Sequence, residues 1–185
     1  MAFDPAELTA LRGASKYEAL RVLLGGPDQQ GKLDHIYGRF QAGLMARYAQ
    51  SQPLSLPGVR AAFERLRAAG IRIAVASGFD RRVVGMLLEA VDWAGLIDAL
   101  VCSEDVTEGR PAPFMIFRAM ERTGVMDVRK VAVVGDTVRD LESGWNAGAS
   151  YRIGVLTGAH DRATLSAAPH THIVDSVADV PGLWL

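Results

Sequence analysis

"VAVVGDTVRDLESGWNAGAS", residues 131–150, decides how the rest of this chain is read. Its apolar run stops at Gly135, and two carboxylates, Asp136 and Asp140, follow four residues apart at a helix start. The run has the length and β-branched character of a buried strand. Asp140 then falls one turn beyond Asp136 on the same helix face. Two hard oxygen donors there suit Mg²⁺, which binds one or two carboxylates together with phosphate oxygens and retained waters. The span Thr137 to Asp140 also matches a capping box, and acids favour helix N-termini. A cap accounts for Thr137 and Asp140 better than for Asp136 at the strand end.

Outward from this stretch the chain alternates helix and strand. VRAAFERLRAAG reads as a helix stopped by Gly70, IRIAVASG as a strand, RRVVGMLLEAVDWAG as a helix and IDALVCSED as a strand. APFMIFRAMERTG is a helix, KVAVVGD a strand, DLESGWNAG a helix and YRIGVLTG a strand, with the weaker RATLSAA and THIVD after them. Short β-rich runs separated by amphipathic helices predict α/β architecture, a Rossmann-like parallel sheet with flanking helices. Upstream, SQPLSLPG (51–58) is a Pro/Ser linker. Before it, residues 5–24 and 33–50 carry apolar residues at helical spacing, broken at Gly13-Ala14-Ser15, where Ser15 suits a helix cap. The expected division is a small helical domain at 1–52 and the α/β core at 53–185.

The bulk properties exclude several classes. A formal net charge of −1 over 185 residues leaves no electrostatic footprint for nucleic acid or an anionic membrane. No apolar run approaches the length of a membrane span, and MAFDPAELTALRG lacks the basic-then-apolar order of a signal peptide. The lone cysteine, Cys102, sits in the apolar run IDALVC as a small core residue and fits a reducing cytoplasm. Seventeen arginines stand against three lysines, Lys16, Lys32 and Lys130, so each lysine draws attention.

In an open parallel sheet, ligands bind beyond the carboxyl ends of the strands. Three such places carry chemistry. After IRIAVA come Ser77 and Gly78, a hydroxyl and a residue without a side chain, which let backbone N–H groups approach a phosphate; the plainer reading is that Ser77 caps the helix beginning near Arg81. After VCSED comes Gly109-Arg110-Pro111, where Arg110 can neutralise anionic oxygens or simply sit solvated in a turn. The third is Asp136 with Asp140. Each signal is weak alone; their order after successive strands makes the set specific.

With Ser77, Arg110 and Gly135-Asp136…Asp140 in that order, the chain resembles the haloacid dehalogenase superfamily. GRPAPFMIFRAMERTG, VGDTVRDLESGWNAGA, GVLTGAH and PHTHIVDSVADVP together are similar to its phosphonatase-like hydrolases, relatives of phosphonoacetaldehyde hydrolase with a small helical cap. The resemblance implies Asp136 as the Mg²⁺-binding acid with Asp140 its partner, Ser77 and the Gly78 amide as the phosphate site, and Arg110 as the phosphate-neutralising base. It implies a small phosphonate or phosphate-monoester substrate, attacked at phosphorus by an aspartate and released through an aspartyl-phosphate. R-G-A-S-K (12–16) resembles the cap motif G-x-x-K, which implies that Gly13 contributes to the substrate site and that Lys16 forms a Schiff base with an aldehyde or binds phosphate by charge; the plainer reading is an exposed lysine. Arginine cannot form that imine, because it stays protonated. Where phosphonatases carry Met before the Gly and His three after the Lys, this chain has Arg12 and Ala19. An apolar cap helix suits a homodimer.

One element of the pattern is missing. The family's nucleophile comes first in sequence, on an apolar strand ending D-x-(D/A)-G-T, and nothing here fits: Asp4 has too few residues before it, and neither Asp98 nor Asp105 is followed by Gly-Thr. Two readings follow. One is a phosphohydrolase whose nucleophile segment lies outside these residues, inactive as written. The other is a non-catalytic relative that binds phosphorylated ligands or a partner. Without that strand, the strands ending at Ser77 and Asp136 either close up and pair directly or leave a strand-wide gap in the sheet, and the gap is the expectation.

Overall fold

The computed structural model describes residues 4, 7–8, 11–25, 29–51 and 53–185. Two helices lead, α1 (Lys16–Leu23) and α2 (Gln30–Gln50). Ser15 caps α1 as its composition suggests, its Oγ accepting from Glu18 N–H at 3.1 Å. The two helices are held together by the Tyr17 ring set edge-on to Tyr37, 5.2 Å between centroids, and by Tyr17 Oη donating to Asp34 at 2.8 Å. Leu33 is buried, whereas Phe40 lies 37% exposed on the outer face of α2.

The core follows in the predicted alternation: α3 (Val59–Ala68), β1 (Ala74–Ala76), α4 (Arg81–Ala90), β2 (Ala99–Val101), α5 (Phe114–Thr123), β3 (Ala132–Gly135), α6 (Val138–Ala147), β4 (Tyr151–Val155), α7 (Arg162–Ser166) and β5 (His172–Val174). All pairings are parallel. The helices bury one stripe each, Val59, Ala62 and Leu66 on α3, Met115 and Ile116 on α5, Leu141 and Ala147 on α6. Leu141 and Leu165 are fully buried with Ala168 against Val138, Leu156 and Ile173. Cys102 is completely buried, and burial pushes its thiol up to about 11, which fits a core residue rather than a nucleophile.

The strands do not form one sheet. β1 pairs only with β2, and β3, β4 and β5 make a second sheet in that order, so the expected gap falls between β1 and β3. Ala99 N–H donates to Ile73 O and Ser77 N–H to Val101 O, which turns the backbone groups of the alternate residues, Ala74 and Ala76, away from β2. Tyr151 N–H donates to Val131 O, which by the same alternation turns Ala132 and Val134 away from β4. These four residues are the exposed ones of their strands, and all four line a cavity of about 630 Å³ between the two sheets. β1 is also shorter than IRIAVA implies: with one edge unpartnered, only three residues are held in strand geometry.

Candidate active site

The gap brings the strand-end residues of both sheets to one place. On the β3 side, Asp140 is held by every group around it. Its Oδ2 accepts from Thr137 N–H at 3.0 Å and from Thr137 Oγ1 at 2.6 Å, while the Thr137 hydroxyl oxygen accepts from Asp140 N–H. Its Oδ1 pairs with the Arg110 guanidinium. The pair is withdrawn from water, with side chains 19% (Arg110) and 6% (Asp140) exposed. Gly135 is obligatory here, since a Cβ would overlap the Asp140 carboxyl group where it folds back over the helix start. Asp140 is therefore the N3 partner of the Thr137 capping box and the counter-ion of Arg110.

Asp136 behaves differently. Its Oδ2 accepts from Ala159 N–H at 2.7 Å and its backbone oxygen from His160 N–H at 3.2 Å. Among the described residues its Oδ1 accepts no hydrogen bond, leaving one carboxylate oxygen available beyond the strand end. The capping box thus accounts for Asp140, while Asp136 keeps one carboxylate oxygen able to hold a cation. Among the described residues no cluster of three or more His, Cys, Asp or Glu surrounds it. A lone hard oxygen fits Mg²⁺, which tolerates one or two protein carboxylates when waters and phosphate oxygens complete its octahedron.

Arg110 reaches Asp140 because its segment is strapped to α6. Arg139 Nη1 donates to Arg110 O at 3.2 Å, Asn146 Nδ2 to Pro111 O at 2.9 Å and Ser143 Oγ to Ala112 O at 3.0 Å. Across the gap, Ser77 does not cap α4; Asp80 does, accepting from Val83 N–H at 3.0 Å. The Ser77 Oγ instead accepts from Phe79 N–H at 3.2 Å, within its own turn, and keeps its proton to donate.

The segment before α1 lies over both loops. Gly13 takes a positive φ of 83°, and a Cβ there would come within 2.6 Å of Thr137 Oγ1. A Cβ at Gly78 would meet Ala14 O and Ser15 Cα at 3.2 Å. Both glycines thus permit close approach of this segment to the core loops. Lys16 begins α1 at that point, with Nζ 5.5 Å from the Phe79 ring centroid. Gln41 of α2 adds a second tie, donating to Asp80 Oδ2 at 2.8 Å. The Gly13–Ser15 segment thus touches both strand-end loops, at Thr137 beside Asp136 and at Gly78 beside Ser77, while Arg110 and Asp140 line the gap between the sheets.

A model of the haloacid dehalogenase-like hydrolases matches residues 2–154. The chain belongs to that family. Among its relatives, the phosphonoacetaldehyde hydrolase of Vibrio cholerae serotype O1 is 33% identical over 188 residues, covering 86% of this chain and 67% of the relative. That of Syntrophobacter fumaroxidans is 29% identical over 197 residues, covering 97% and 71%. The chain thus spans about two thirds of the length of these curated relatives. Of solved structures, a phosphonoacetaldehyde hydrolase-like protein from Oleispira antarctica superposes with a TM-score of 0.81 at 23% identity over 99% of this chain and 79% of that one. CbbY from Rhodobacter sphaeroides, solved with xylulose-(1,5)bisphosphate, gives 0.79 at 20% identity over 97% and 81%. The chain is a member of the haloacid dehalogenase-like hydrolase family with phosphonoacetaldehyde hydrolases among its relatives.

Sequence reasoning missed the loop after β4. His160 accepts Val138 N–H on Nδ1 at 3.2 Å, so the ring proton of the neutral form lies on Nε2. Gly158 makes room, since a Cβ there would overlap the Asp136 carboxylate. The signal was present in GVLTGAH, but a histidine five residues beyond a strand end gives no hint that it returns to the neighbouring helix. No helix among the described residues is long and apolar enough to cross a membrane.

Proposed function

We propose that this chain carries the phosphate-handling part of a phosphohydrolase acting on a small phosphonate or phosphate monoester, with the nucleophilic aspartate supplied by a strand that fills the gap between β1 and β3. The observation that carries this reading is the gap itself: Ser77 and Asp136 follow the two strands whose free edges line it, so a strand placed between them would end in an acid flanked by both. The carboxylate attacks phosphorus, the bond to the leaving oxygen or carbon breaks, and water then cleaves the aspartyl-phosphate to return the acid and free phosphate. The Ser77 hydroxyl donates to a phosphoryl oxygen. Arg110 uses one nitrogen on Asp140 and keeps further N–H donors for anionic oxygens. Mg²⁺, held on the free Asp136 oxygen, would neutralise charge on the phosphoryl group.

Lys16 supports substrate handling from the cap side. Its amine lies 5.5 Å from the centre of the Phe79 ring, two residues beyond Ser77, where it can attract phosphate or condense with an aldehyde carbonyl. An imine would withdraw electrons from the adjacent carbon, which C–P cleavage needs and phosphate-ester hydrolysis does not. The names of the curated relatives favour the phosphonate. The other reading, a non-catalytic phospholigand-binding protein, draws support from the absence of a fuller acid cluster among the described residues.

The experiment joins an apolar strand ending in D-x-x-G-T ahead of residue 1. Phosphate release is then followed from phosphonoacetaldehyde and from p-nitrophenyl phosphate with Mg²⁺. The restored chain should turn over at least one of them, and changing the added aspartate to asparagine should stop it. Turnover by the 185 residues alone, or none after restoration, would contradict the reading.

A further inference from the structure

We propose that Arg12 and His160 are positioning residues that set the orientation of Asp136 and tie it to the position of the cap; this rests on the reading of Asp136 as the metal-binding acid. The loop at 158–160 wraps Asp136 on two sides, through Ala159 N–H to Oδ2 and His160 N–H to the backbone oxygen. Two residues outside that contact hold the loop in place. The His160 ring accepts the N–H of Val138, the first residue of α6, which has no partner within the helix. The ring thereby bolts the loop to the helix that Asp136 introduces.

Arg12 acts from the opposite side. Its Nη1 donates to Ala159 O at 2.7 Å, across 147 residues of sequence. The peptide unit joining Ala159 and His160 therefore accepts from Arg12 at its oxygen and donates from its nitrogen to Asp136 O. Hydrogen bonds chained through one peptide group polarise one another. Arg12 itself is anchored by Gly13, whose close approach to Thr137 fixes where the segment crosses α6. A displacement of the cap that withdraws Arg12 frees the loop, and with it the donor that turns Asp136 Oδ2 inward and leaves Oδ1 outward. The cap and the cation-holding oxygen are thus connected through a single loop. The phosphonatase pattern has methionine where this chain has Arg12, so the tie is a property of this chain's own residues.

The test is Mn²⁺ binding to the full 185-residue chain, read by the free-ion electron paramagnetic resonance signal, beside thermal melting of each variant. Asp136→Ala should abolish the site. His160→Ala, which keeps the backbone N–H on Asp136 O but releases the loop from Val138, should weaken Mn²⁺ several-fold. His160→Asn, whose side-chain oxygen can still accept Val138 N–H, should recover most of it. Arg12→Ala, at an exposed position, should weaken binding a few-fold with melting unchanged, and Arg12→Lys should fall between. If His160→Ala lowers the melting temperature but leaves Mn²⁺ affinity intact, or His160→Asn restores melting without affinity, the role is structural and the proposal fails. Equal binding by wild type and Asp136→Ala would instead remove Asp136 from the metal site and sink the underlying reading.

Discussion

Asp140→Ala should cost far more stability than Asp136→Ala, although the two residues stand four apart in one motif. Asp140 accepts from Thr137 N–H, Thr137 Oγ1 and Arg110, and its side chain is 6% exposed. Losing the N3 half of the capping box, with Thr137 still the N-cap, costs about 0.5–1.5 kcal/mol. Removing one partner of an ion pair so withdrawn from water strands the Arg110 charge, which costs about 3–5 kcal/mol when burial is complete. Arg110 keeps some exposure, so about 3 kcal/mol is the expected total, or roughly 6–12 °C of melting temperature in a chain of this size. Asp140→Asn, which keeps an acceptor for Thr137, should lose less. Asp136 makes one side-chain hydrogen bond, to an exposed loop, so Asp136→Ala should cost about 1 kcal/mol. Urea denaturation of the three variants followed by circular dichroism measures this ranking. If Asp136→Ala proves as destabilising as Asp140→Ala, or Asp140→Ala is silent, the division of the motif into cap and cation site is wrong.

Three further outcomes follow from the same geometry. Asp105 accepts from Arg122, from Cys102 N–H and from Arg81, and the Arg122 bonds above all hold its carboxyl far below the ordinary carboxylate range. A depressed folded value adds stability that is complete above the unfolded value of about 3.9 and is lost as pH falls toward the folded one. The melting difference between wild type and Asp105→Asn should therefore hold steady from pH 7 to about 5 and shrink below about 4; a difference unchanged at pH 2 would contradict this. Cys102, fully buried with its thiol at about 11, should resist a thiol-specific disulfide reagent at pH 8 until the chain unfolds, and rapid labelling of the native protein would refute its burial. Lys16→Ala forfeits only the contact with Phe79, about 0.5–1 kcal/mol. With the nucleophile strand restored, borohydride trapping with phosphonoacetaldehyde separates its two roles: an adduct absent from Lys16→Arg marks the imine, and retained phosphatase activity without any adduct marks charge alone.

The alternation of helix and strand was legible because each helix carries one apolar stripe and each strand a short β-rich run, and the structure keeps that order through Val174. The gap was legible too, from a motif that has no match in the sequence. Strand lengths were not: IRIAVA reads as six residues of strand, but Ala74–Ala76 is what one hydrogen-bonded edge sustains. Within the site, the sequence could not choose between cap and cation for two carboxylates at helix spacing. The choice came from Arg110, thirty residues away, whose arrival at Asp140 depends on three side chains of α6 holding the Arg110–Ala112 carbonyls. His160 and Arg12 stayed hidden for a like reason. Their partners are backbone groups of distant segments, and backbone groups carry no signature in a sequence.

The open centre of the sheet is probed by amide hydrogen exchange at four residues. Ala74 and Ala76 on β1, and Ala132 and Val134 on β3, direct their backbone N–H groups into the gap, while Val75 and Val133 pair with β2 and β4. In the 185-residue chain the four should exchange near the rate of unprotected amides, with Val75 and Val133 protected. Placing the apolar strand ahead of residue 1 should protect all six to a similar degree. Protection of the four in the chain alone would mean that β1 and β3 have closed on each other, leaving no place for a nucleophile between Ser77 and Asp136.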